Sequence, residues 1–283
     1  MDPHFQPRLL LAHPWRIAAL VAVVTNVTFG YASQAQAGPG ESVADVSARY
    51  ANPFTPAGYA FAIWGLIYGA TLAYAVFALL PQQLSVRLHD RVAPWLTLLN
   101  ALAVVWVLSF SAGQLVLSLL VVAGMLAVSA VCYAMATQHL RSESLSVWWR
   151  APFSLWLGWL AVAAFANLSA VITAAGWDGM PLSATLWAAL LLGVLAVAAS
   201  LINMAFSDGL VPLVVAWAAT AIAVAHFHES ALLGILAAAV AIKAALWGAS
   251  TFLFSAFPIP SRYRAIAARA VRYDPQSPPR FPS

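Results

Sequence analysis

The residues best suited to bind a ligand are aromatic side chains in the stretch 52–68, NPFTPAGYAFAIWGLIY. Its aromatic and glycine positions recur at helical spacing and so share one helix face: Phe61, Trp64, Gly65 and Tyr68. Thr55 and Pro56 predict the helix start, with the threonine hydroxyl as a cap and the proline in the first turn. The face combines flat aromatic walls with a gap left by glycine. It can pack closely on a neighbouring helix or line an apolar ligand pocket.

A second aromatic face lies in the stretch 151–167, APFSLWLGWLAVAAFAN. Four of its residues fall on one helical stripe: Trp156, Trp159, Ala163 and Asn167. Two indoles, a small residue and an amide suit the wall of a pocket for a flat, mostly apolar ligand with one polar group. The same four residues suit a helix–helix contact equally well.

Lys243 is the charged residue nearest the middle of an apolar segment, and Trp247 lies one helical turn further on the same face. Burying a lysine in a membrane costs about 3 kcal/mol, so it is a candidate functional residue. The indole permits a cation–π contact. A retinal Schiff base is disfavoured because no carboxylate lies at mid-membrane. The lysine either snorkels or bonds carbonyls at a helix interface, or it binds a ligand.

Other polar residues of the apolar segments have ordinary structural explanations. Four asparagines are expected to bridge helices: Asn26, Asn100, Asn167 and Asn203. Each such hydrogen bond contributes about 0.6 kcal/mol to the stability of the bundle. Ligand contact is the alternative for Asn100 and Asn167. His226, His228 and Glu229 are expected to be surface residues. No acid–base dyad, nucleophile or metal-ligand cluster is visible, so we expect no enzymatic activity and no metal.

The composition places all these residues in a membrane protein. The 283 residues are 63% hydrophobic and 8% charged, with mean hydropathy +0.85, whereas soluble domains carry roughly 25% charged residues. Basic residues form short clusters beside apolar segments, which excludes a nucleic-acid partner. The single cysteine, Cys132, lies within an apolar segment and is predicted to be buried and structural.

Eight apolar segments are each close to the ~20 residues that cross a bilayer. They cover residues 16–34, 56–80, 92–110, 114–137, 152–175, 183–206, 209–226 and 231–256. The predicted fold is an all-α, polytopic transmembrane bundle over residues 1–257 with about eight helices, or seven if the first is a cleaved signal. Residues 258–283 form a basic, proline-rich tail that is predicted to be cytoplasmic and disordered.

The basic residues also predict the orientation. Placing the N-terminus inside puts eleven of the 13 lysines and arginines in the cytoplasm, with Arg49 outside and Lys243 within a span. Both termini are therefore predicted to be cytoplasmic. Ala35-Gln36-Ala37 resembles a signal cleavage site, but one stripe of the first segment suits packing inside a bundle and favours retention: Trp15, Ala19, Ala22, Asn26, Gly30 and Ser33. Residues 35–54 form an outer loop long enough to cover the mouth of the bundle.

The run FTPAGYAFAIWGLIY, preceded by ESVADVSARYANP, resembles the longer bacterial members of the TspO/MBR family, the tryptophan-rich sensory proteins. The run APFSLWLGWLAVAAFAN is similar to another signature of that family. The resemblance implies a helical bundle that binds tetrapyrroles such as porphyrin or haem, or sterol-like molecules, and that acts in sensing or transport. It also implies a multi-pass protein of the bacterial inner membrane, with no resident cofactor.

We therefore predict a membrane sensor or carrier whose hydrophobic small-molecule ligand contacts residues from several spans: Phe61, Trp64, Tyr68, Asn100, Trp156, Trp159, Asn167, Lys243 and Trp247. The alternative is a secondary transporter that uses Lys243 at its site. Membrane lipid is the other expected partner, and a homodimer is left open. The sensor hypothesis requires Trp64, Trp156 and Trp159 to converge on a shared cavity.

Overall fold

A computed structural model describes residues 12–35, 40–143, 147–177 and 180–256, without the side chains of residues 142, 143 and 256. Within these ranges the chain forms nine α-helices and no β-strand. They are α1 (Pro14–Gln34), α2 (Val43–Arg49), α3 (Ile63–Phe77), α4 (Arg87–Ser111), α5 (Leu115–Glu143), α6 (Ala151–Ala174), α7 (Ala184–Phe206), α8 (Leu210–His226) and α9 (Ala231–Ala256). The all-α membrane bundle is confirmed. The predicted tail, 258–283, lies outside the described residues.

Eight of the nine helices correspond to the eight apolar segments, and α2 lies in the predicted outer loop. Seven spans are long and apolar enough to cross a membrane, whereas α8 is a shorter apolar helix of 17 residues. Cys132 in α5 is fully buried, as predicted. The direction in which the bundle crosses the membrane stays a prediction.

The predicted start of α3 at Thr55 is wrong. The Thr55 hydroxyl accepts a hydrogen bond from the backbone N–H of Asn52 (2.9 Å), so it closes a turn instead of capping a helix. A 3-10 helix, Gly58–Ala62, follows, and α3 begins at Ile63. Phe61 therefore belongs to the 3-10 segment, one turn before Trp64.

The helices form two groups that meet at α6. In the first group α3 packs against α1 and α6, while α4 packs against α1 and α5, and α5 packs against α6. In the second group α9 packs against α7 and α8, and α8 packs against α6. The core of the first group is where the aromatic residues of α3, α4 and α6 meet.

Helix α1 packs as an integral part of the bundle. Its buried side includes four residues of the predicted stripe, Ala19, Asn26, Gly30 and Ser33. The prediction was wrong for Trp15, which is exposed, because the neighbouring Arg16 takes the inward position and is 1% exposed. The Asn26 amide donates to Asn100 Oδ1 of α4 (3.0 Å), and the Ser33 and Ser111 hydroxyls are 3.3 Å apart. These contacts favour retention of the segment, which stays a prediction.

Candidate ligand-binding site

Trp64 lies at the centre of an aromatic cluster built by three helices. Its ring stacks on Tyr68 at a centroid distance of 5.5 Å. It also meets Trp106 of α4 at 5.8 Å, and Trp156 and Trp159 of α6 at 5.6 and 6.1 Å, with the α6 indoles edge-on. Offset and edge-to-face arrangements of this kind are the favourable ones for aromatic rings. Trp64, Trp156 and Trp159 thus converge inside the bundle and do not face lipid.

The members of this cluster differ in how their indole N–H groups are satisfied. Trp156 Nε1 donates to the Thr71 hydroxyl (2.9 Å), and Trp106 Nε1 donates to Asn167 Oδ1 (3.4 Å). Trp159 is 3% exposed, and its Nε1 has no hydrogen-bond partner among the described residues. A buried N–H group without an acceptor costs about 1–3 kcal/mol. Trp159 is therefore the indole whose free N–H group would gain most by donating a hydrogen bond to a ligand oxygen.

Asn167 is less available to a ligand than its sequence position suggested. Its Oδ1 accepts from Trp106 and from the Ser118 hydroxyl of α5 (3.0 Å), and its amide donates to the Ala163 carbonyl (3.0 Å). The side chain thus joins α4, α5 and α6 and orients Trp106. Asn100 has a similar bridging role, since it accepts from Asn26 and donates to the Leu96 carbonyl.

A small cavity of about 30 Å³ lies beside the cluster. Its wall comes from the aromatic residues Phe61, Trp64, Trp106, Phe110 and Trp159, together with Val162, Ala163, Ala166, Asn167 and Ala170. Its other side is formed by Val43, Ser47, Tyr50, Asn52, Thr55 and Pro56, and we call residues 43–56 the roof. A cavity of this size holds one or two water molecules. The loop that was predicted to be long enough to cover the mouth of the bundle thus supplies one side of this cavity.

A larger groove of about 360 Å³ lies on the opposite side of Trp64, between α1 and α3. Val43, Phe61, Trp64 and Trp106 line both the groove and the small cavity, so these four side chains lie between the two spaces. Tyr68 lines the groove only, and it lies so close to Gly30 that a Cβ there would come within 2.2 Å of the Tyr68 hydroxyl oxygen. Trp156 lines neither space, and its ring packs edge-on against Trp64.

The roof is held at both ends. At its start the Glu41 N–H donates to the Ser111 carbonyl at the end of α4 (3.2 Å). At its end the Ala57 N–H donates to the Ala221 carbonyl of α8 (3.1 Å), and His226 Nε2 lies 2.9 Å from the Thr55 carbonyl oxygen. Trp217 of α8 donates from Nε1 to the Ala60 carbonyl (2.9 Å). Helix α8 thus anchors the segment that leads from the roof into α3.

Two predicted site residues lie away from the aromatic cluster. Lys243 is exposed on the outside of the bundle, where its Nζ donates to the Ser200 hydroxyl of α7 (3.0 Å). The same Nζ lies 5.6 Å from the centroid of Trp247, which confirms the predicted cation–π contact. With its amide oriented to suit its neighbours, Asn203 accepts from Trp247 Nε1 at 3.3 Å. Lys243 and Trp247 therefore form a separate site between α7 and α9.

The sequence reasoning missed two aromatic residues of the site and one buried ion pair. Trp106 stacks on Phe110 at 5.4 Å, and both line the small cavity; the depth of Trp106 within its apolar segment was the available signal. Arg150 Nε lies 3.0 Å from Asp208 Oδ2, with both side chains 5% exposed or less. Asp208 also accepts from the Ser154 hydroxyl (2.6 Å), which joins α6 to the start of α8.

The prediction of surface histidines was wrong for His226. Its side chain is 11% exposed, between the roof carbonyl of Thr55 and Glu229 Oε2 at 3.2 Å from Nδ1. The spacing of His226, His228 and Glu229 gave no sign of this contact, because the roof is far away in the sequence. His228 and Glu229 are exposed, as predicted. Within the described residues no group of three His, Cys, Asp or Glu side chains is arranged to hold a metal ion.

The fold and the site define a multi-pass, all-α membrane protein with a roofed aromatic pocket among its helices. A model of the TSPO-like protein family matches residues 16–251, a range that covers the roof and all eight apolar helices except the first residues of α1 and the last residues of α9. The chain therefore belongs to the TSPO-like family. Comparisons with curated proteins and with solved structures gave no match.

Proposed function

We propose that this protein binds a flat, mostly apolar molecule, a tetrapyrrole or a sterol-like compound, in the aromatic pocket and acts in sensing or transport. The observation that carries the proposal is the unpartnered Nε1 of Trp159, a residue that lines a small cavity with aromatic walls. Apolar pockets with a few polar groups are typical of small-molecule sites. The role proposed is binding, without catalysis, in a bacterial inner membrane with both termini in the cytoplasm.

The donor and the walls favour particular features in the ligand. Edge-on and stacked indoles offer flat faces, which suit a conjugated or fused-ring molecule. The Trp159 N–H requires an acceptor, such as a carbonyl or carboxylate oxygen. A porphyrin supplies both features. A sterol supplies the apolar body and one oxygen.

Ligand binding requires the small cavity to enlarge, because about 30 Å³ is far too small for either molecule. Two movements can supply the space. The aromatic side chains between the two spaces, Phe61, Trp64 and Trp106, can rotate so that the cavity joins the groove of about 360 Å³, which we call the lateral groove, or the roof can lift. The groove opens between α1 and α3 and gives a hydrophobic ligand a route from the membrane.

Titration of the purified protein with protoporphyrin is expected to quench tryptophan fluorescence and to saturate. Trp159→Phe keeps the ring but removes the N–H group, so we expect about tenfold weaker binding. Trp64→Ala removes the central wall, so we expect saturable quenching to be lost.

Trp247→Phe is the matched control, because it removes an indole outside the pocket and should leave the affinity unchanged. Absence of saturation in the unmodified protein, or equal affinities for the Trp159→Phe and Trp247→Phe proteins, would contradict the proposal.

The transporter alternative relies on Lys243, whose ammonium group faces the outside of the bundle and contacts Ser200 and Trp247. If Lys243 couples transport, then proton-gradient-dependent counterflow in proteoliposomes should vanish in Lys243→Met. We expect instead that Lys243→Met leaves both porphyrin binding and any counterflow intact. Loss of counterflow with intact porphyrin binding would favour the transporter.

A further inference from the structure

The roof of the aromatic pocket is fastened to α8 by a histidine whose two ring nitrogens both face acceptors. His226 Nε2 lies 2.9 Å from the Thr55 carbonyl oxygen, and Nδ1 lies 3.2 Å from Glu229 Oε2. A neutral imidazole carries one N–H and can donate to only one of these oxygens, whereas the imidazolium donates to both. The geometry therefore matches the charged form of the ring.

We propose that His226 is a proton-dependent latch, which in its doubly protonated form holds the roof against α8 and on losing a proton loosens it. Histidine is the side chain that most commonly exchanges a proton near neutral pH. A hydrogen bond from a charged donor is about twice as strong as one from a neutral donor. Closing the roof thus takes up a proton, so acidic conditions favour the closed pocket.

The charges around the ring support this assignment. Glu229, on the turn between α8 and α9, is the charged group in contact with His226 among the described residues, and its sign favours the imidazolium. The roof faces the ring with a backbone carbonyl. The charged residues of the roof have other partners: Arg49 pairs with Glu41, just before the roof, and Asp45 accepts from the Ser42 hydroxyl (2.6 Å). His228, on the same turn as Glu229, is exposed.

The latch contacts the roof at a residue that lines the cavity. Thr55 lines the small cavity, and the next hydrogen bond to α8, from the Ala57 N–H to the Ala221 carbonyl, lies two residues further along the chain. Without the His226 contact, this end of the roof is held to α8 by the hydrogen bond from Ala57 to Ala221. The following contact with α8, from Trp217 to the Ala60 carbonyl, lies beyond the roof. The consequence for ligand entry rests on the function proposed above, whereas the movement of the roof does not.

The distance between the roof and α9 can be measured without any ligand by double electron–electron resonance between two spin labels. Spin labels at Ala48 on the roof and Ala231 at the start of α9 occupy exposed positions, while the buried Cys132 stays unlabelled. We expect one narrow distance distribution at about pH 5.5 and an added, longer component at about pH 8, with the open population rising roughly three- to tenfold. In His226→Gln the longer component should be present at both pH values.

Two further variants separate the latch from general effects of pH. Glu229→Gln keeps an acceptor but removes the charge, so the response to pH should shrink. His228→Gln is the matched control and should respond like the unmodified protein. Nitrogen NMR of the ring, assigned by its absence in His226→Gln, should show two protonated nitrogens at the acidic pH.

A distance distribution that does not change with pH, or a ring with one protonated nitrogen while the roof is closed, would overturn the latch. So would a pH response that survives in His226→Gln. Porphyrin quenching reports on the proposed ligand separately. If the roof moves with pH but the protein does not bind porphyrin, the proposed ligand is wrong and the latch stands. If the protein binds porphyrin but the roof does not move with pH, the latch is wrong and the proposed ligand stands.

Discussion

Arg16→Ala is expected to lower the free energy of unfolding by about 3 kcal/mol, because it removes the donor that joins α1 to the α3–α4 connection. The guanidinium is 1% exposed and pairs with Asp90 through Nε (2.7 Å) and Nη2 (2.8 Å). Nη1 donates to the carbonyls of Ala78 (2.8 Å) and Gln83 (2.9 Å), and the remaining N–H of Nη2 is shared between the carbonyls of Leu84 (3.1 Å) and Val86 (3.0 Å). Alanine would leave all five groups without this donor.

The single cysteine offers a direct measurement of this loss. Cys132 is fully buried in α5, so a thiol-reactive fluorophore reports on unfolding as the temperature rises. Arg16→Ala should unfold at a clearly lower temperature, and Arg16→Lys should recover only part of the difference because an ammonium group has three donors in place of five. Arg87→Ala, at an exposed position of α4, should behave like the unmodified protein. Equal midpoints for the Arg16 and Arg87 variants would contradict the prediction.

The same contacts explain why the first apolar segment could be interpreted in two ways from the sequence. Arg16 before an apolar run is the pattern of a signal peptide, and the partner that changes its meaning, Asp90, lies 74 residues away. Asn26 was a better local signal, because an amide inside an apolar helix needs a partner. It finds one in Asn100.

Local patterns predicted the helices and the aromatic faces because the membrane requires long apolar helices and tryptophan N–H groups avoid lipid. They predicted the surroundings of single polar residues less well. Lys243 lies in a helix that is long and apolar enough to cross a membrane, but its orientation toward the outside of the bundle depends on how α7 and α9 pack. His226 and Asp208 depend on contacts with the roof and with Arg150, which no local spacing reveals.

In the cluster around Trp64, too, sequence spacing predicted which residues share a helix face but not which of them line a cavity. The spacing of Phe61, Trp64 and Tyr68 predicted a shared face, and all three line the lateral groove. The spacing on α6 grouped Trp156 with Trp159, although only Trp159 lines the small cavity. The difference arises because Thr71 accepts the Trp156 N–H and draws that indole toward α3.

Gly209→Ala is expected to destabilise the bundle by about 2–3 kcal/mol, through overpacking between α8 and α9. A Cβ at Gly209 would lie 2.1 Å from the Gly248 carbonyl oxygen and 2.5 Å from the Phe252 nitrogen, and these are backbone atoms that no rotamer change can move. The backbone of Gly209, at φ −76° and ψ −18°, is ordinary for alanine, so the cost is steric alone. The two helices would have to move apart.

A series of glycine variants makes this test specific. At Gly248 the added Cβ would meet the Gly209 oxygen at 2.8 Å and the Leu213 side chain at 3.1 Å, so Gly248→Ala should be milder. Gly193, within α7, has no atom within 4 Å of its added Cβ, and Gly193→Ala should be neutral or slightly stabilising because alanine favours helix. From highest to lowest, the expected order of unfolding temperatures, measured through Cys132, is therefore Gly193→Ala, Gly248→Ala and Gly209→Ala. A Gly209→Ala protein as stable as Gly193→Ala would show that α8 and α9 do not pack this closely, and the anchoring of the roof by α8 would have to be reconsidered with it.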